Sequence, residues 1–367
     1  MNVKDQNQKF IKTLFQDFGQ FFKDLFSGRF FRSIRQDFAD LQEYYLSYEL
    51  QIRLERMNRF RRWMYIFFWL LKYSILKLSS FRRIILVIAI IFLLTARDNQ
   101  GIDQQKIIFG VLMLILIIIL ELKDKLLARE ELEAGRSVQQ ALQPEERPVV
   151  PGWELWLYTR SANEVGGDLL DFIRIASRQF GLAIGDVSGK GLPAALLMAK
   201  LQATLRALVG NSAPLGRLAD RINKIYYRDT QANTFASLLY LELQSNENNI
   251  RFFNAGHMPP IVSTSGQLKE LSKGDPALGI MSDTSYTEQK LQLKPGDMLF
   301  LYSDGLTDAR DDTGHFFEDR RIFEILQSVT DQPARSIGEK ILDVISRFER
   351  NARITDDLSI AVIKRIG

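Results

Sequence analysis

The chain has 367 residues, with 48 Lys/Arg against 44 Asp/Glu, 46% hydrophobic and 25% charged. This is the composition of folded protein, and the length suits two or three units. Cysteine is absent and histidine occurs twice, at His257 and His315. That excludes disulfide scaffolds, thiolate metal sites, iron–sulfur clusters and cysteine nucleophiles. A catalytic ion would have to be held by carboxylates, and therefore be a hard cation such as Mg(II) or Mn(II). The excess positive charge is local: residues 1–62 hold twelve Lys/Arg against eight Asp/Glu, and the rest is balanced. Such a distribution faces a membrane surface rather than a nucleic-acid groove, so no nucleic-acid partner is expected.

Residues 1–10 carry Lys4, Asp5 and Lys9 and no apolar run, so no secretory signal peptide is expected there. Residues 1–62 form an amphipathic, phenylalanine-rich helical region, with Phe10, Leu14, Phe18 and Leu25 at helical spacing. Two readings fit it: a small helical bundle, or a helix lying among lipid headgroups. Residues 63–120 are the membrane-associated region, with a helical hairpin predicted over 84–96 and 107–120. Each arm covers roughly 20 Å, short of the ~30 Å hydrocarbon core, with Arg82, Arg83 and Lys123 able to extend it. Basic residues crowd the outer flanks of the pair, which places both ends in the cytoplasm and the 97–106 loop outside. The aromatic stretch 63–71 suits the interface.

Residues 121–143 read as a linker helix. Leu120, Leu127, Ala134 and Ala141 recur every seven residues, but Asp124 and Glu131 interrupt the second heptad row, so pattern alone leaves coiled coil and plain connector open. Pro144, Pro148 and Pro151 then mark a boundary. Within 144–367, strands are predicted at 154–158, 169–175, 180–186, 235–243, 250–254, 298–302 and 358–363, and helices at 193–209, 215–228, 318–328 and 334–347. Clustered strands with helices between them give an α+β fold with mainly antiparallel sheet.

Four aspartates stand beside glycine or at strand ends: Asp168, Asp186, Asp304 and Asp356. An acid at a strand end is rigidly anchored and can face a cleft, and several converging there repel unless cations neutralise them. Three competing motifs fail. Gly185–Lys190 lacks the glycine spacing and the Ser/Thr of a P-loop. Gly166-Gly167-Asp168 is followed by Leu169-Leu170 instead of the Glu-Phe of a diguanylate cyclase. Ser188 and Ser303 have neither the Gly-x-Ser-x-Gly setting nor a nearby base.

The blocks EVGGDLLDF (164–172), GDVSGKGLPAALLMA (185–199), FASLLYLEL (235–243), NAGHMPP (254–260), ALGI (277–280), LKPGDMLFLYSDGLTDAR (293–310) and TDDLSIAVI (355–363) stand in one order. From Glu131 to Ile366 the chain resembles the PPM-type metal-dependent serine/threonine phosphatases of bacteria, in the SpoIIE/RsbU-like branch. The resemblance implies an αββα sandwich of two antiparallel sheets flanked by helices, and two divalent cations, Mn(II) or Mg(II). By the same likeness Asp186 would bridge the ions, the Val187 carbonyl would add a backbone ligand, Asp304 and Asp356 would complete the second ion, and Asp168 would hold the first. Asp186 and Asp304 would thus carry the chemistry, activation of water for attack on phosphoserine or phosphothreonine.

Eukaryotic relatives place a histidine after the bridging aspartate, where Ser188 and Gly189 stand here, so the leaving-group acid is unassigned. Lys190 is read as a solvated turn lysine, His257 as structural, His315 as a surface turn residue and Asp357 as a support for the ligands rather than one of them. The resemblance further implies a phosphorylated anti-anti-sigma (STAS) regulator as substrate and a homodimer through 121–143. With the hairpin, it gives an enzyme on the bacterial cytoplasmic membrane with its catalytic domain in the cytoplasm. A non-catalytic signalling scaffold of the same fold is the alternative.

Overall fold

The computed structural model describes residues 57–98, 101–210, 214–231, 234–350, 352 and 354–367. The expected amphipathic region 1–62 thus lies almost wholly outside the described residues. The chain divides into two units, residues 1–125 and 126–367.

In the first unit, α1 (Arg59–Lys77) precedes α2 (Ser80–Leu94), which Ser79 caps by accepting the Arg82 N–H. A two-residue β1 (Arg97–Asp98) and β2 (Gly101–Ile102) pair antiparallel and lead into α3 (Gln104–Leu142). The apolar arms of α2 and α3 pack at small residues. Ala89 is fully buried, and a Cβ on Gly110 would stand 2.8 Å from Leu93 Cγ. At the base of the pair, Arg82 bonds both Glu121 (2.6 Å) and Asp124 (2.5 Å). The second arm of the hairpin and the expected linker are one uninterrupted helix, since no proline occurs from 104 to 142 and the single glycines Gly110 and Gly135 do not break it.

The second unit is a four-layer sandwich. One sheet has strand order β10-β7-β6-β5-β4 and the other β3-β12-β11-β8-β9, every pairing antiparallel. Its strands are β3 (Trp153–Arg160), β4 (Leu169–Arg174), β5 (Gln179–Val187), β6 (Ala236–Gln244), β7 (Asn249–Ala255), β8 (Ile261–Thr264), β9 (Gln267–Glu270), β10 (Gln289–Gln292), β11 (Met298–Tyr302) and β12 (Leu358–Arg365). Helices α4 (Leu192–Leu208) and α5 (Leu215–Asp229) cover the first sheet, and α6 (Asp319–Gln327) and α7 (Ala334–Glu349) the second.

Strand alternation sorts the side chains into layers. Leu182 and Ile184 of β5, Leu239 and Leu241 of β6, Leu299 and Leu301 of β11, and Ala361 and Ile363 of β12 fill the space between the sheets. Their neighbours Ala183, Leu238 and Tyr240 meet α4 and α5, while Phe300, Tyr302, Ile360 and Val362 meet α6 and α7. Strands buried on both faces need apolar residues at nearly every position, which is why these segments read as continuous hydrophobic runs.

Candidate active site

The inward-facing rows change character at one end of the sandwich. Extended by the two-residue period, the row of Leu182 and Ile184 reaches Asp186, and that of Leu239 and Leu241 reaches Ser237. Leu299 and Leu301 lead to Ser303, Ala361 leads to Ser359 and then Asp357, and Leu170 leads to Asp168. The same parity that builds the apolar core therefore delivers a ring of aspartates and serines where the core ends.

Asp168 is buried, accepts a hydrogen bond from Ser303 Oγ (2.8 Å), and has its carboxyl pushed up by burial and by the charges of Asp186 and Asp357. Asp186 is raised to about 7, first by burial and then by Asp304, Asp356 and Asp357. Asp304 is raised by burial and by Asp356 and Asp308. The structure thus brings Asp168, Asp186, Asp304 and Asp356 into one electrostatic neighbourhood. Among the described residues, no three His, Asp or Glu side chains close into a finished ion cage.

Three observations test the fit of this donor set to divalent cations. The donors are all carboxylate or carbonyl oxygens, the ligands hard cations take. Gly167 leaves a cradle: a Cβ there would stand 3.0 Å from the Val187 carbonyl and 3.2 Å from Asp186 Oδ1, so the loop lies closer to the two expected ligands than a side chain would fit without a shift. And a cation already attends the cluster, since Lys190 Nζ lies 3.6 Å from Asp356 Oδ2 while donating to the Thr355 carbonyl (2.8 Å). The residues fit the group.

The remaining residues sort by their contacts. Asp357 is committed to backbone, accepting from the amides of Ala162 (2.7 Å), Gly167 (2.6 Å) and Asp168 (3.4 Å). It thereby fixes the loop that carries Asp168. Lys190, read from sequence as a solvated turn lysine, is 61% exposed along its side chain yet has its ammonium tied across to the Thr355–Asp356 loop. His315 is exposed in its turn, with Thr313 Oγ1 2.7 Å from Nδ1. His257 is buried, and its Nδ1 lies 2.9 Å from Ser237 Oγ. Sequence reading misses Ser237 and Ser359, and weighs Ser303 only as a nucleophile rather than as a support for Asp168. Their signal was available in strand parity, once the acids at the ends of the same strands had been noticed.

The C-terminal part of α3 rests on the same loop. Gln139 donates from Nε2 to the Gly166 carbonyl (2.7 Å) and accepts the Gly166 N–H at Oε1 (3.1 Å), while Arg136 reaches Glu164 (3.5 Å). Nothing in residue 139 taken alone announces this two-sided backbone clamp.

Two antiparallel sheets between paired helix layers, with acids at one sandwich edge, define the architecture of the PP2C phosphatases. The SiaA PP2C domain of Pseudomonas aeruginosa superposes with a TM-score of 0.57 at 19% identity, covering 66% of this chain and 98% of that domain. The family model for Stage II sporulation protein E (SpoIIE) matches residues 176–366, more than half of the chain, and the chain belongs to that family. Asp186, Asp304 and Asp356 fall inside the match; Asp168 lies just ahead of it and rests on the geometry above. Protein IcfG of Synechocystis sp. is 29% identical over 279 residues, 68% of this chain and 43% of IcfG. The phosphoserine phosphatase RsbU of Bacillus subtilis is 24% identical over 239 residues, 65% of this chain and 70% of RsbU.

Proposed function

We propose that the chain is a metal-dependent protein phosphatase that hydrolyses phosphoserine or phosphothreonine on a cytoplasmic signalling protein. The observation that carries this reading is the grouping of Asp186, Asp304 and Asp356 as electrostatic neighbours at one edge of a PP2C-type sandwich, with Asp186 raised to about 7 by burial and by its acidic neighbours. Asp186 and Asp304, with Asp168, Asp356 and the Val187 carbonyl, would hold two divalent cations. Bound there, the ions supply activation of water at neutral pH and neutralisation of phosphoryl charge. The chain's own part is orientation. Asp357 holds the Gly167 and Asp168 amides, Ser303 holds the Asp168 carboxylate, and Gly189 (φ +108°) and Gly191 (φ +71°) turn the chain sharply ahead of α4.

The STAS-type substrate rests on the family likeness and on RsbU, itself named a phosphoserine phosphatase. The linker reading gains support from Gln139 and Arg136, which give α3 a direct grip on the loop bearing Asp168. In this account pairing of two copies through 121–143 orders that loop and α4 and so favours ion uptake. Deletion of 121–142 should then lower activity and dissociate the dimer; unchanged activity and oligomeric state would refute the linker mechanism.

Membrane anchoring rests on the first unit. Among the described residues α3 is long and apolar enough to cross a membrane. Its partner α2, at 15 residues, reaches about 22 Å. Ile84, Ile91 and Leu94 of α2 and Ile108, Leu112 and Ile118 of α3 all point outward, a surface that water would not favour.

The enzyme reading is tested by phosphate release from a phosphoserine peptide by the full chain with Mn(II), beside Asp304→Asn. We expect activity that is lost on chelation and reduced by more than about a hundredfold in the variant. A chain that binds Mn(II) and releases no phosphate would favour the non-catalytic scaffold.

A further inference from the structure

His257 sits in the connection that carries the chain from the first sheet to the second, between β7 and β8. Its backbone is locked by a reciprocal pair: the His257 N–H donates to Asn254 Oδ1 (2.8 Å), and Asn254 Nδ2 donates to the His257 carbonyl (3.0 Å). Gly256 between them has φ +71°, and a Cβ there would lie 2.7 Å from Ala277, so the block closes only with glycine at that position. The backbone from which the imidazole projects is thereby fixed.

The ring's Nδ1 meets Ser237 of β6, the neighbour of Asp186 across the β5–β6 ladder. Ser237 Oγ accepts the backbone N–H of Asp186 (3.1 Å) and lies 2.9 Å from His257 Nδ1. The hydroxyl keeps a second lone pair and its own hydrogen free of the Asp186 amide, so the ring's tautomer sets which of Ser237 Oγ and His257 Nδ1 donates. Burial pushes the ring's pKa down to about 4, which keeps it neutral, and the Tyr302 carbonyl is the group that opposes this shift. Tyr302 is the last residue of β11 and lies two residues before Asp304. Nε2 is buried and makes no formal hydrogen bond among the described residues. A polar ring with one nitrogen left short of its partner is a costly core residue, and a hydrophobic side chain would pack there without that cost.

We propose that the Ser237–His257 pair is a strut that sets the spacing between the Asp186 end of β5 and the Asp304 end of β11, making His257 a positioning residue for the carboxylate site. The inference rests on the two-ion reading above for its consequence, though not for its geometry. Hydrogen bonds run from the Asp186 amide through Ser237 to the His257 ring, whose other neighbour is the Tyr302 carbonyl on the strand leading to Asp304. Loosening either end changes the separation that two ions must span.

The test uses the full chain with Ser237→Ala, Ser237→Thr and His257→Gln, each checked for folding by thermal melting. The first readout is amide hydrogen exchange in the metal-free protein. Ser237→Ala and His257→Gln should both speed exchange by at least about tenfold at residues 185–188 and also at 302–305, with Ser237→Thr restoring protection. The second is Mn(II) affinity by titration, which should fall about tenfold in Ser237→Ala and His257→Gln and recover in Ser237→Thr. Loosening confined to residues 185–188, or lower melting with unchanged Mn(II) affinity, would overturn the strut and leave His257 as packing. If His257→Gln does not fold, Ser237→Ala still decides. If the unaltered chain takes up no Mn(II), the two-ion reading falls, and the exchange pattern alone decides the strut.

Discussion

At the scale of single residues, the site is a set of acids held close against their own repulsion. An aspartate raised to about 7 in the fold and near 3.8 when unfolded binds more protons folded than unfolded over that interval. Its contribution therefore favours the fold at low pH and is lost as pH rises through about 7. Without divalent ions the chain should melt at a higher temperature near pH 5 than near pH 8, and Asp186→Asn should flatten that dependence. Thermal melts in chelator across the range check both. Mn(II) should remove most of the difference by binding the charged form, and a rise in stability from pH 5 to 8 without metal would contradict the assignment. The acids themselves were legible in the sequence because strand-end Asp-Gly and Gly-Asp pairs are conspicuous. Ser237 and Ser303 were not, since a serine reveals its partner only when two strands are placed side by side.

Element by element, the reading of the strands followed burial. β5, β6, β11 and β12 are covered on both faces, so their apolar runs were plain. β8, β9 and β10 escaped notice because they have four residues each, and the exposed pattern of β9 and β10 leaves polar sequences such as QKLQ without periodicity. The helices of the sandwich were legible through their amphipathic faces, and α7 shows how tightly one is seated. Gly338 lies flat on the Trp156 ring, and a Cβ there would overlap Cε3 and Cζ3. Gly338→Ala should therefore lower stability by about 1–3 kcal/mol despite alanine's better helix propensity. Chemical denaturation measures it. Because Gly338 is remote from the acids in this layer order, Mn(II) affinity should hold. The onset of charge at residue 121 predicts a junction there, but charge alone does not end a helix, and α3 continues to Leu142.

For the whole molecule, one continuous helix, α3, links the apolar helical pair in sequence to the phosphatase-type sandwich. The full chain should sediment with membranes and resist extraction by high salt, since burial of Ile and Leu does not depend on screened charge; release by salt alone would leave only a surface attachment. The central claim is that the aspartate edge is a paired-ion site. It is tested most directly by counting Mn(II) bound per chain, by titration of the purified full chain at pH 7.5 and again with Asp304→Asn. The account predicts about two ions for the unaltered chain and one or fewer for the variant. No binding above a surface-acid background, or equal binding by the variant, would contradict it.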